Sequence, residues 1–460
     1  MCRRFDSVPD HHFSSQIIQF RTSCTHSVHG TVDRISTVSL ASGFNINVLE
    51  IKYVGHACVL LRSQSERVLI DPWFSPSLND ETLHAVPPPA ALTFEEIDGL
   101  TAIHISHMHS DHFSEETLAR FPKKIPVIVA KHKDGVFASR IRALGFDHVV
   151  EVEPGPGGYV MGDLRLCVFL PSQGYPYDSS LVVTCAGRSY LFDNDARFSS
   201  DHYFLLACIF GEFEAAFVGY ADIYPFPLIY DFSVCRGVAA EWMNKKTLSH
   251  LEEQSWRRIE SICEHLRPKW VCPYAASIRF RHPELLDFNR MFFAKAGILA
   301  RDLGGAVPIS LRHGDIVAAG QVPSSTLADF DEPHIEPIAC RHEGSRLEEE
   351  IRQNAEMIFL RLRDLLVAVS SKWVSAMTVA FLVGEPDDEI FRYGFLFDGS
   401  DVLAHNAVES EYDLVIRIEP RVAWKILFEN WSLQRASYSY RLSVIVRRIV
   451  AGQIAVHRWS

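Results

Sequence analysis

The chain has 460 residues, 47% of them hydrophobic and 22% charged, and a formal net charge of −12. That length exceeds one ordinary core and predicts two domains behind an N-terminal arm. The acidic balance excludes non-specific nucleic-acid binding through a basic face, and no apolar run is long enough to span a membrane.

Residues 1–45 are polar and rich in Ser and His, and read as a loosely ordered arm. Its start carries Arg3 and Arg4 but no apolar core after them, so it does not read as a secretory signal. The ten cysteines are scattered without a C-x-x-C pair, as expected of buried thiols in a reducing cytosol. A cytoplasmic protein is the expectation. Cys24-Thr25-His26 matches the first half of a Rieske iron–sulfur motif, but no C-x-x-H follows anywhere downstream.

A first domain is expected over 46–325. Strands are predicted at 47–53, 57–62 and 67–70, the last ending at Asp71-Pro72-Trp73. His56, in Gly55-His56-Ala57, reads either as an ordinary strand-end histidine or as a group facing substrate. Residues 103–113 read I-H-I-S-H-M-H-S-D-H-F. His107, His109, Asp111 and His112 put four metal-capable groups into six residues, a density that packing does not explain. The segment before them alternates like a strand. Ser114, followed by Glu115 and Glu116, reads as a helix N-cap. The histidines therefore sit on a strand-to-helix loop, His107 and His109 toward one metal and Asp111 and His112 toward a second.

Further strands are predicted at 127–130, 148–152, 163–170, 180–186 and 188–193, with a helix at 134–144. The last strand ends F-D-N-D-A-R, so Asp193 and Asp195 are expected on the same side. An aromatic, proline-rich loop at 220–230 reads as a pocket wall, and a helix is predicted at 246–266. Residues 320–340 carry Pro323, Pro333 and Pro337 and read as a boundary. A second, α+β domain is expected over 340–460, opening with an amphipathic helix at 346–373 whose inward stripe is Leu347, Ile351, Ile358, Leu362 and Leu365. Between Arg417 and Arg458 eight Lys or Arg meet only Glu419 and Glu429. That run reads as a solvated face or as a basic lip for an anionic substrate.

The H-x-H-x-D-H motif resembles the signature of the metallo-β-lactamase superfamily. The resemblance implies an α/β (α+β) fold: an αββα sandwich with a one- or two-metal site at its rim, followed here by the smaller C-terminal domain. Gly55-His56-Ala57 and L-I-D-P-W resemble the branch that contains the CMP-N-acetylneuraminate hydroxylase family. L-R-P-K-W-V-C-P-Y-A, F-V-G-Y-A-D-I-Y-P-F-P-L and Y-D-L-V-I-R-I resemble that family more closely, in the same order. By this resemblance Asp71 supports the metal site from beneath, Asp195 bridges the metals, with Asp193 second in line, and His282 completes the second position. Two departures stand out. The family's Rieske domain has no counterpart motif, which implies a separate ferredoxin or reductase partner. A histidine of the first metal position is replaced in P-S-Q-G-Y-P-Y-D-S-S, leaving Tyr175 or Asp178 as substitutes.

The resulting expectation is an O₂-dependent diiron hydroxylase of an organic, anionic small molecule, nucleotide-, CoA- or carrier-linked. Two divalent metals are expected, iron first and zinc or manganese as alternatives, with Asp111, Asp195 and His56 in catalytic roles. The alternatives are a dinuclear hydrolase of a phosphoester, lactone or amide, and a binding protein that kept the fold around a degenerate site.

Overall fold

The computed structural model describes residues 49–447 except 79–80, 172–176, 221–228, 232–238, 292–301, 319–334, 339–343, 371–375, 386–387, 438 and 440. The N-terminal arm, Tyr175, most of the aromatic loop and most of the boundary stretch lie outside the described residues. The chain divides into Met1–Asn45 and Ile46–Ser460. The following concerns the second unit.

Two seven-stranded sheets are stacked in it. The first runs Ile316–Ala318, Glu50–Gly55, Cys58–Arg62, Arg67–Ile70, Ala102–His104, Val127–Ala130 and Val149–Val152. The second runs Val307–Pro308, Trp270–Tyr274, Phe213–Gly219, Arg188–Phe192, Ser180–Cys185, Leu164–Phe169 and Tyr159–Met161. Alternation along each strand sorts the side chains into layers. Ile51, Tyr53, Val59, Leu61, Val68 and Ile70 meet Leu166, Val168, Leu181 and Val183 between the sheets. Cys58, Leu60, Leu69 and Ile103 face outward and pack with Leu118, Phe137 and Ile141 of the helices Glu115–Ala119 and Val136–Ala143. On the opposite outer face Cys167, Val182 and Leu191 pack with Tyr203, Leu206, Ile259 and Ile262 of Ser200–Phe210 and Ala239–Leu266. Both faces of these strands are covered, which is why Val127–Ala130 is apolar throughout. The order is the αββα sandwich that the resemblance implied.

The strands that lead into Asp71, the metal loop and Asp195 have parallel neighbours. Arg67–Ile70 pairs in parallel with Ala102–His104, and Arg188–Phe192 with Phe213–Gly219, which pairs in parallel with Trp270–Tyr274. Their carboxyl ends therefore share an edge in each sheet, the usual position of a site in a parallel sheet.

A six-stranded sheet follows, in the order Tyr230–Asp231, Leu442–Val446, Leu414–Ile418, Met377–Glu385, Asp388–Phe397 and Val402–Ala404. The predicted helix at 346–373 is two helices, Gly344–Gln353 and Ala355–Ser370. The break falls at Asn354, whose Nδ2 donates to the Glu350 carbonyl at 2.7 Å, a local bond of the kind that competes with the helical ladder. Ile351, Ile358, Leu362 and Leu365 are buried as expected, while Leu347 is only half-buried.

The cations of the basic run whose side chains are described are paired. Arg421 lies 3.8 Å from Glu81, Lys425 3.1 Å from Glu429, Arg441 2.9 Å from Glu419, and Arg447 3.1 Å from Glu409. Two of these acids, Glu81 and Glu409, lie outside the run, so its local excess of cations overstated the charge of this surface. The pairing favours the solvated-face reading over a basic lip.

Candidate metal centre

Construction of the site starts at Asp71, where the chain leaves Arg67–Ile70 with a left-handed φ of 42°. Asp71 is fully buried. Its Oδ1 accepts from the Ser106 amide at 2.7 Å, and its Oδ2 accepts from Ser106 Oγ at 2.6 Å and His112 Nδ1 at 2.8 Å. This carboxylate holds the proton of His112 on Nδ1 and turns Nε2 outward, as partners beneath metal-bound imidazoles do. His112 Nε2 is buried and makes no hydrogen bond.

The loop after Ala102–His104 closes through the His112 and Phe113 amides, both donating to the His109 carbonyl, at 3.0 and 2.7 Å. Ser114 then caps Glu115–Ala119 by accepting from the Thr117 amide, as its position before two glutamates predicted. This turn brings His107 Nε2 within 2.9 Å of His109 Nδ1. The Asp178 carboxylate approaches from the strand entry at Ser180–Cys185, with Oδ1 3.8 Å from His107 Nε2. Asp178 Oδ1 is also buried without a hydrogen bond. His107, His109 and Asp178 therefore form one potential metal position.

His56, Asp111 and His112 form a second. His56 comes from the turn between the first two strands, with φ 50°, and its Nε2 lies 3.0 Å from Asp111 Oδ2. Trp73 packs edge-on against its ring at 5.3 Å between centroids. Between the two positions stands Asp195. Its Oδ2 lies 3.4 Å from His107 Nε2, 3.8 Å from His109 Nδ1 and 3.7 Å from His112 Nε2.

The donor set fits two divalent cations. Asp111, Asp178 and Asp195 bring three carboxylates together, and buried charge requires counter-charge. Imidazole and carboxylate suit zinc, iron and manganese alike. The two unpartnered atoms, His112 Nε2 and Asp178 Oδ1, belong to different positions. One rim is open: side-chain exposure is 31% for His109 and 29% for Asp195, against 0% for His107 and His112.

Electrostatics record the same demand. Burial pushes the Asp178 carboxyl above its usual range, and burial lowers His107. For His112 burial acts downward too, but the charges of Asp111, Asp195 and Asp71 outweigh it and push the imidazole up to about 10. The folded value exceeds the unfolded value of about 6.5. The stabilisation from this proton is thus complete below about pH 6.5 and lost as pH rises through about 10. A metal at Nε2 must displace the proton. Metal uptake is therefore expected to release protons at neutral pH and to tighten as pH rises. Calorimetry of zinc binding in two buffers of different ionisation enthalpy measures the release, and identical heats in both would refute it.

Three expectations change. His282 does not join the cluster. Its Nε2 meets the Glu81 carbonyl at 3.0 Å, and its ring lies 6.0 Å from that of His84. His56 stands with Asp111 and His112 instead. Asp193 and Asp195 do not point the same way, because the strand ends at Phe192 and Asn194 takes a φ of 50°, which breaks the alternation. Asp193 is buried and bonded to Tyr203 Oη at 3.0 Å and Arg258 Nε at 2.6 Å. Of the two substitutes considered for the missing imidazole, Asp178 lies in the cluster and Tyr175 outside the described residues. Arg258 carried no motif, and Tyr274 stood in L-R-P-K-W-V-C-P-Y-A without an assigned role; the fold brings both to this edge.

The model of the Beta-lactamase superfamily domain matches residues 50–169. That segment is similar to the family's domain and holds the strands from Glu50–Gly55 to Leu164–Phe169. Its match ends just after the strand Leu164–Phe169, so the H-x-H-x-D-H loop lies inside it and Asp178 and Asp195 beyond it. Several curated relatives are similar to this chain in sequence. A protein of Mycolicibacterium smegmatis named as a Rieske 2Fe-2S iron–sulfur protein is 26% identical over 293 residues, 61% of this chain and 54% of that one. The cytidine monophosphate-N-acetylneuraminic acid hydroxylase of Danio rerio is 25% identical over 242 residues, 51% and 39% respectively. The 4-amino-L-phenylalanyl-[CmlP-peptidyl-carrier-protein] 3-hydroxylase of Streptomyces venezuelae is 31% identical over 268 residues, 52% and 45%. The chain thus spans about half the length of the curated relatives it matches.

Proposed function

We propose that this chain is a dinuclear-metal hydroxylase of an organic small molecule, supplied with electrons by a separate ferredoxin-type partner. The observation that carries the reading is the composition of the first position: two imidazoles and the carboxylate of Asp178. A carboxylate-bearing, incompletely filled set of this kind suits iron and leaves coordination sites for other molecules. Two relatives named as hydroxylases support the choice of reaction. A relative named as a Rieske protein supports the kind of electron donor.

When bound, reduced iron would supply the oxygen chemistry. The chain's own residues hold and orient it. Asp71 fixes the tautomer of His112, and Asp195 stands between the two positions. His109, Asp111 and Asp195 form the exposed rim over which a substrate would lie. Hydroxylation of a C–H bond by O₂ also forms water, and so consumes two electrons and two protons from the reductant and solvent. A nucleotide-, CoA- or carrier-linked acid remains the substrate class to screen first. Its anionic character rests on the resemblance, because the described cations of the C-terminal basic run are paired.

One feature favours a hydrolase as the second reading. Asp111 at the rim, hydrogen-bonded to the buried His56, is placed to deliver a proton to a leaving group. Anaerobic loading with Fe(II), metal analysis and oxygen uptake with an artificial reductant separate the two. Two irons per chain with reductant-dependent oxygen consumption are expected. Tightly held zinc with turnover of a phosphodiester or lactone would establish the hydrolase instead.

A further inference from the structure

Beneath the cluster runs a buried chain of hydrogen bonds that touches no metal-facing atom but joins the neighbours of three metal-facing residues. Ser106 precedes His107, Ser179 follows Asp178, and Asn194 precedes Asp195. Ser179 Oγ donates to the Ser106 carbonyl at 2.6 Å. Asn194 Nδ2 donates to the Ser179 carbonyl at 3.4 Å. The Asn194 amide donates to Tyr274 Oη at 3.3 Å, and that hydroxyl donates back to Asn194 Oδ1. The Asn194 carbonyl accepts from Arg258. Ser106, Ser179 and Asn194 are fully buried, and Tyr274 is 1% exposed.

Asn194 is the hub of this chain. Its left-handed φ of 50° is tolerated by asparagine and glycine and strained for most other residues. The backbone there is also confined from outside. A Cβ on Gly219 would lie 2.6 Å from the Asn194 carbonyl oxygen, so the neighbouring strand has no room for a side chain. The side chain of Asn194 ties the loop of Asp178 to the carboxyl end of Trp270–Tyr274, while its backbone aims Asp195.

We propose that Asn194 is a positioning residue that sets the placement of Asp178 and Asp195 relative to His107 and His109, and through them the metal affinity. The proposal rests on the reading of the cluster as a metal centre. Groups that orient ligands from behind typically change metal affinity by about 10–100-fold when removed.

Cobalt(II) titration of the full chain, followed by visible absorption, tests it. Asn194→Gly keeps the left-handed backbone and deletes the amide. Tyr274→Phe deletes only the hydroxyl and serves if the first variant does not fold. Both are expected to bind the first cobalt at least about tenfold more weakly than the parent and to shift its d–d bands. Asn194→Ala should show the same shift with an additional loss of thermal stability from the strained backbone. Parent-like affinity and spectra in Asn194→Gly and Tyr274→Phe would overturn the positioning role while leaving the metal centre intact. Failure of the parent itself to take up cobalt would overturn the metal reading, and the positioning role with it.

Discussion

Asp195→Ala is expected to lose both metals. The Asp195 carboxylate lies within 3.8 Å of donor nitrogens on His107, His109 and His112, which belong to both positions. Its removal takes away a donor and a negative charge from each. Metal content after dialysis should fall from two ions per chain toward none. Turnover should fall by at least about a thousandfold, since metal stabilisation of developing charge is worth several kcal/mol. The informative control is His282→Ala, which should retain both ions because His282 is bonded to Glu81 and lies outside the clustered groups. His56→Ala should lose the second ion. Loss of that ion from His282→Ala, with retention in His56→Ala, would reverse the assignment.

The second large effect is one of stability. Arg258→Met is expected to destabilise the fold by about 3–5 kcal/mol, the usual cost of stranding one partner of a buried ion pair. Asp193 is fully buried and the Arg258 side chain is 12% exposed, with Nη2 2.6 Å from Asp193 Oδ2. Burial already pushes the Asp193 carboxyl above its ordinary range, and Arg258 is the charge that opposes this. Removing the guanidinium leaves that carboxylate to lose its charge or to stay buried unpaired. The double variant Asp193→Leu/Arg258→Met should recover most of the loss, because replacing both partners with apolar groups is often close to neutral. Denaturant unfolding of the three variants measures this. A single variant within about 1 kcal/mol of the parent would mean that solvent reaches Asp193 in its place.

The legible part of the site was its most local part. His107, His109, Asp111 and His112 occupy one loop, so their convergence needs only a turn after a strand, and Ser114 marked where that turn ends. The resemblance pointed to Asp195 at the end of a strand, while alternation wrongly set Asp193 on the same side. The strand stops at Phe192, and a left-handed Asn194, not alternation, separates Asp195 from Asp193. The helix break at Asn354 was hidden because periodicity continues across it, with Ile351 and Ile358 on one buried face.

The layered sandwich was implied by the resemblance that the motif carries; by itself the sequence determined the strand-to-helix metal loop and the imidazole and carboxylate donors on it. Those depend on spacing within a few residues and on apolar patterning, which act locally. Which distant residues complete each position was decided by tertiary structure. Ile278–Phe280 pairs with Leu83–Ala85, and that register carries His282 to the Glu81 carbonyl. The turn before Cys58–Arg62 instead delivers His56 to Asp111. The resemblance favoured His282 by its place on a loop after a strand, and sequence position does not say where pairing with another sheet takes such a loop. The fold likewise turned Asp178 from one of two substitutes into a member of the cluster, and set Arg421 and Arg447 of the basic run against acids from elsewhere in the chain.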